Sequence, residues 1–320
     1  MNFRLRLVTA PLLTAIVTLA CLAGDAPLMG QEDESPRQIN APDQPVPLNK
    51  EKTVFLDRKN NRVLVKSTVV LREGLLEMLC CLKGTKEHES ILSTTAHAYI
   101  VHGGLLALGA DPGRPVRYYP EYVPSEGPQV KINLIWKDEN GKEQKAVSQS
   151  WIRYVVDRFY YRKVDPFPSD LTLPDNGEGD LRYDTFNKEL YWYGHMTDET
   201  KAELKKLSKN EEYQAAIEQF HKQSQPREMT SSFIFTGSRF VQDEETKEQI
   251  YLAEDGCLIC VANMTTAMID VGIESSSQGM DSLLFEPYTE RIPPEGTEVM
   301  IEIIPVKEDK AAKKEAPTEE

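Results

Sequence analysis

The sequence predicts an α+β fold, with a β-rich core of largely antiparallel strands, one core helix and a helical insertion. Three observations predict it. Short β-branched runs with period-two alternation, such as RVLVKSTVVL from Arg62 and VKINLIW from Val130, recur towards both ends of the chain. A single apolar run between them, Ala96–Leu108 (AHAYIVHGGLLAL), reads as a helix stopped by Gly109 and Pro112. From residue 166 to 230 the pattern changes to helix caps and a 3.6-residue stripe.

At the N-terminus, Arg4 and Arg6 precede the apolar LVTAPLLTAIVTLACLA, and small residues around Ala20–Gly24 suit a signal peptidase. Residues 1–24 therefore read as a signal peptide and the protein as extracytoplasmic, periplasmic or secreted. The run is short for a membrane span and Pro11 interrupts it, so no transmembrane segment is expected after cleavage. Lipid anchoring through Cys21 is the lesser alternative, because Thr18 stands where such sites usually carry Leu. Residues 25–52 are rich in Pro, Gln, Asp and Glu and read as a disordered linker, and 306–320 as a solvated tail.

Strands are expected at Thr53–Leu56 and Arg62–Leu71, around the Asn60-Asn61 turn. Leu75–Leu82 reads as a strand or a short buried helix. Val130–Trp136 and Lys145–Val147 make a hairpin in which Asn140-Gly141 signals a type I′ turn. Trp151–Val164 reads as a half-buried strand. In the insertion, Thr197 caps one helix, and Ser208 with Glu211 makes a capping box for a second. The second helix docks by Tyr213, Ala216, Ile217 and Phe220. Strands return at Ser232–Val241, Gln249–Leu252 and Cys257–Ala262. Met264–Val271 reads as a buried edge and Glu298–Ile304 as the last strand.

The chain is organised around EMLCCLKGTKEHESIL, residues 77–92. Its polar cluster Glu87, His88, Glu89 and Ser90 stands between two apolar segments, which points to a buried, hydrogen-bonded element with a structural or binding role. On that reading His88→Ala removes a buried hydrogen bond and lowers stability. The alternative is an extracytoplasmic hydrolase in which His88 and Glu89 do acid–base work.

Cys80, Cys81, Cys257 and Cys260 are an even set after signal cleavage, and three full disulfide pairings are open to them. If Cys257–Ala262 is a strand, Cys257 and Cys260 face opposite ways. The cysteines then read as buried thiols, or as a disulfide between the 80–81 pair and the 257–260 pair. His97 and His102 are five apart on the expected helix, about 140° around it, and do not form a chelating pair. No HExxH, GxSxG, phosphate-loop or dinucleotide motif occurs, so no cofactor and no metal site is expected. The net charge of −14 becomes −14 − 2 = −16 without Arg4 and Arg6. Such acidity disfavours nucleic acid and anionic membrane surfaces, and leaves a cell-envelope ligand or partner whose identity is open.

Several blocks together resemble the YdjY-like domain of exported bacterial proteins. They are GLLEMLCCLKGTKEHESIL from Gly74, GGLLALGADPG from Gly103, FIFTGSRF from Phe233 and IPPEGTEVMIEIIP from Ile292. The resemblance implies one extracytoplasmic domain in two halves, residues 53–165 and 231–305, around an added segment at 166–230. It implies no activity. Some members carry a ferredoxin-type label, but a four-iron cluster needs several closely spaced thiolates and this chain has one CxxC. A non-catalytic binding or structural module of the cell envelope is the reading that results.

Overall fold

Eight strands close into a barrel in the computed structural model, which describes residues 44–173, 181–273 and 284–306. In chain order they are β1 (Arg62–Val69), β2 (Met78–Leu82), β3 (Ser90–Thr94), β4 (Gln129–Lys137), β5 (Phe233–Phe235), β6 (Ile259–Cys260), β7 (Ile269–Val271) and β8 (Glu298–Pro305). Around the ring the order is β1-β8-β4-β5-β7-β6-β2-β3, and the Thr68↔Ser93 and Val69↔Leu92 pairs return β3 to β1. Closure leaves none of the eight with an unpaired edge along the ring. Contacts divide the chain into residues 1–40 and 41–320, and every described residue belongs to the second part.

Period-two patterning explains the wall. Val63, Val65 and Val69 of β1, Val130, Ile132 and Leu134 of β4, and Val299, Ile301 and Ile303 of β8 point into one core with Phe233, Phe235, Ile259 and Ile269. A one-residue slip in any of these strands would turn its apolar set outwards, so register is strongly specified. The expected last strand is thus central, paired with β1 on one side and β4 on the other. Met264–Val271, read as an edge, instead supplies β7 inside the wall, hydrogen-bonded to both β5 and β6.

Most pairs are antiparallel, but β2–β3 and β6–β7 are parallel. Parallel neighbours usually need a crossover of a dozen or more residues. Here only residues 83–89 carry the chain back from Leu82 to Ser90. That short return runs over the outside of the wall as a surface turn with a 3-10 segment at Glu87–Glu89.

Helix α1 (Ala98–Ala107) packs Val101 and Leu105 into the barrel core. Gly104 is held close to it, since a Cβ there would meet Leu48 and Val63 at 3.0 Å. Two outer strands extend the wall beside β1, Val54–Asp57 and, paired to it, Val46–Pro47. Residues 46–47 belong to the stretch expected to be a disordered linker, and Leu48 packs on the core. The signal peptide and most of the linker and tail lie outside the described residues.

A second apolar core runs from Tyr160 to Phe220. The strands Phe159–Lys163, Glu189–Tyr193 and Leu181–Asp184 form a three-stranded antiparallel sheet. Helices α2 (Asp198–Leu204) and α3 (Glu211–Gln223) cover it, α3 by the expected stripe Tyr213, Ala216, Ile217 and Phe220. The segment is therefore α+β, not purely helical, and it begins before residue 166. Its Phe159–Lys163 strand comes from the stretch read as one strand from Trp151 to Val164, which is split. Trp151 is buried in a 3-10 turn, and Ile152–Tyr154 pairs with Phe285–Pro287.

Two local elements differ from the sequence expectation. The hairpin after β4 does not use a type I′ turn, because of its central residues only Gly141 has positive φ. Instead Asp138 Oδ1 accepts from the N–H groups of Asn140 and Lys142, which makes a longer loop. Helix α3 is capped by Asn210, whose side chain accepts from Tyr213 N at 3.1 Å. Ser208, the expected cap, donates to Asp170 at 2.6 Å.

Candidate functional site

The surface turn 83–89 separates two features of opposite character: an open groove on one side and a buried sulfur-rich cluster beneath. The groove has a volume of about 700 Å³. Outward-facing side chains of the wall form its floor: Lys66 and Thr68 of β1, Glu298 and Met300 of β8, and Ile135 of β4. Thr94, Thr95, Lys83 and Glu87 stand along one flank, and Trp136, Lys137 and Glu143 along the other. Three lysines face three glutamates, so the groove carries little net charge. Trp136 stacks edge-on against buried Trp151, which holds its ring in place at the groove margin.

The four residues of the predicted polar cluster part company. Glu87 lines the groove, and its carboxylate accepts from Gly84 N at 3.0 Å. His88 extends into solvent, with a side chain 78 % exposed and Glu89 3.9 Å away. Ser90 is buried and donates to the Leu92 carbonyl. Glu89 makes a carboxyl pair with Glu77, a residue the sequence reading passed over although it begins the same stretch. Burial, and then the charge of Glu89, push the Glu77 carboxyl above its usual range, while Lys86 lies 3.4 Å from Glu89. The expectation of a buried His88 is thus overturned. The polar residues are flanked by buried strands, but the short return between parallel strands has to run at the surface. His88→Ala is expected to change unfolding free energy by less than about 0.5 kcal/mol, as measured by denaturant titration.

The histidines of the α1 region are also accounted for. His97 precedes the helix and pairs with Glu254 at 3.0 Å, while the other oxygen of Glu254 accepts from Tyr99 N in the first turn. His102 is buried 2.7 Å from the Tyr251 hydroxyl, which donates to the Gly237 carbonyl. The single tyrosine proton is used there, so His102 Nδ1–H is the donor to Tyr251. Burial depresses the His102 pKa and favours the neutral ring.

All four described cysteines are free and buried. Cys80 belongs to the barrel core, whereas Cys81, Cys257 and Cys260 share a separate cluster with Met78, Ala267 and, at its margin, Met264. Pairing of β6 with β2 accounts for the approach, since Cys260 stands opposite Met78. Cys257 and Cys260 do not face opposite ways, because the CxxC is not one strand. Gly256 turns at φ +116°, Leu258 N bonds back to Gly256 O, and only Ile259–Cys260 is extended. The turn brings both thiols into the same buried cluster. Burial pushes the thiols of Cys80, Cys81 and Cys260 up, which keeps them protonated. Among the described residues no three His, Cys, Asp or Glu groups converge as a metal-binding set.

Asp270 on β7 was not singled out by the sequence reading. It is fully buried, and its Oδ1 accepts from Asn263 N at 3.2 Å and Val271 N at 2.8 Å. Its Oδ2 has no partner. Burial pushes this carboxyl up to about 7, against the backbone N–H groups that favour its charge.

Among the described residues no helix is long and apolar enough to cross a membrane. No curated protein and no solved structure matches the chain. The family model described as YdjY domain matches residues 50–156 and 199–304, well over half of the chain, and the second stretch takes in α2 and α3. The match spans the barrel strands, the turn 83–89 and both flanks of the groove, and the chain belongs to the YdjY domain family.

Proposed function

We propose that this protein is a non-catalytic binding module of the cell envelope that holds a neutral glycan in the groove beside the turn 83–89. The observation that carries this reading is the lining. Thr68 and Thr95 offer hydroxyls, Lys and Glu side chains offer donors and acceptors in balance, and Ile135, Met300 and the Trp136 ring offer apolar surface. A sugar ring presents the matching set, polar edges and an apolar face, without formal charge. The net charge of −14 further disfavours a polyanionic ligand. Export rests on the N-terminal segment, with Arg4 and Arg6 ahead of an apolar run. A hydrolase using His88 and Glu89 has less support, since neither residue lines the groove.

The test is a titration of the full chain with uncharged envelope oligosaccharides, followed by tryptophan fluorescence. Saturable quenching is expected, and Thr68→Arg, which fills the groove floor from an outward position, should weaken it at least tenfold. Equal affinity in Thr68→Arg, or no saturable binding by the unaltered protein, would overturn the reading.

A further inference from the structure

The sulfur cluster beneath the turn 83–89 has a composition that packing alone does not require. Every side chain in it except Ala267 carries sulfur: Met78, Cys81, Cys257, Cys260 and, half-buried at the margin, Met264. Cys260 Sγ lies 3.6 Å from Met78 Sδ, and Cys257 is buried in the same small cluster. Cys81 sits on β2, away from the CxxC turn. Two thiols and one thioether therefore converge, with a second thioether between them and the surface.

We propose that Cys257, Cys260 and Met78 form a copper(I) site, with Met264 at its entrance. Soft thiolate and thioether donors select a soft, low-coordinate ion, whereas a structural zinc site wants four thiolate or imidazole donors. Charge favours the same ion. Binding copper(I) releases the two thiol protons to solvent and leaves a complex of charge −1, with no change in oxidation state. The Lys86 side chain packs against Gly256, the residue before Cys257, and supplies the compensating cation. A divalent ion with two thiolates would instead leave no net charge for Lys86 to offset. This site is separate from the groove and does not depend on the glycan reading.

The experiment is an anaerobic competition in which the full chain, reduced beforehand, withdraws copper(I) from bathocuproine disulfonate. One equivalent should be taken up, with a rise in the thermal unfolding midpoint. Cys257→Ala and Cys260→Ala should each weaken binding at least a hundredfold, and Met78→Leu at least tenfold. Cys81→Ala should alter it less than threefold. Alanine and leucine keep the cluster apolar, and far-ultraviolet circular dichroism of each apo variant confirms folding. The proposal is overturned if no copper is withdrawn, or if Cys81→Ala abolishes binding as fully as Cys257→Ala. It is also overturned if zinc alone binds at one equivalent, or if the reduced chain yields a Cys257–Cys260 disulfide on anaerobic peptide mapping.

Discussion

Asp270→Asn is expected to stabilise the protein at pH 8 by on the order of 4 kcal/mol and to change little near pH 4. The carboxyl titrates at about 7 in the fold against 3.8 when exposed, a rise driven by burial. A folded pKa above the unfolded one means that the folded state binds the proton more tightly. Well below pH 3.8 the acid is protonated in both states and imposes no penalty, and at pH 4, where the unfolded chain is only just past half-ionised, the penalty is still small. As pH rises from about 4 to 7 the unfolded chain ionises first, and stability falls by about 1.36 kcal/mol per unit of difference. Above pH 7 the whole penalty is present, and asparagine, which has no charge to bury, removes it. Oδ1 keeps its backbone donors, and the unpartnered Oδ2 becomes an amide nitrogen in place of a charged oxygen. Urea unfolding of both proteins at pH 4 and pH 8 measures the difference. Equal stabilities at pH 8 would show that Asp270 is solvated or paired in solution.

Glu302→Ala is expected to destabilise by about 3–5 kcal/mol, the cost of breaking a buried ionic network from one side. Glu302 points outward from β8 yet is 2 % exposed. Arg62 pairs with it, Asn133 donates to it at 2.7 Å, and Lys145 approaches to 2.6 Å. Arg62 also bonds Asp57 at 2.8 Å, so the network ties β8 to its neighbours β1 and β4 and, through them, to the strands Val54–Asp57 and Glu143–Val147. Burial raises the Glu302 carboxyl, but hydrogen bonds from Lys145, Arg62 and Asn133 outweigh it and the net shift is downward. Asp57 is likewise lowered, with its bonds to Asn60 and Arg62 prevailing over burial. A depressed folded pKa contributes stability that is complete above the unfolded value and is lost as pH falls through the folded one. The unaltered protein should therefore lose stability below about pH 4.5, and Glu302→Ala should lose less there. A variant that unfolds at the same urea concentration as the parent at pH 7 would contradict this.

The strands were legible wherever alternation was long. Arg62–Val69, Gln129–Lys137 and Glu298–Pro305 each carry enough period-two pattern to declare themselves. Barrel closure was not legible, because it rests on two-residue and three-residue pairings such as Ile259–Cys260 and Ile269–Val271. Segments that short hold no period. The sheet of the second core is hidden in the sequence by α3, whose stripe dominates the local signal, while its strands Leu181–Asp184 and Glu189–Tyr193 are brief.

In the stretch 77–92 the flanks are buried but the centre is at the surface, a difference that hydrophobic pattern does not encode. A parallel β2–β3 pair joined by so few residues is rare enough that sequence pattern alone does not suggest it. The groove was invisible for a different reason. Its lining comes from β1, β3, β4 and β8 together, so no contiguous motif announces it. The sulfur cluster was half visible, as four cysteines, but Met78 and Met264 look like ordinary core residues until pairing brings Met78 opposite Cys260.

Binding in the groove is the centre of this account, and backbone amide mapping tests it most directly. Spectra of the isotopically labelled chain, recorded as an uncharged envelope oligosaccharide is added, should show shifts concentrated at Lys66–Thr68, Thr94–Thr95, Ile135–Lys137 and Glu298–Met300. Those segments line one concavity and are distant in sequence, so their joint response would have no other simple cause. Shifts confined to His88 and Glu89, or to α2 and α3, with the groove amides unmoved, would contradict it.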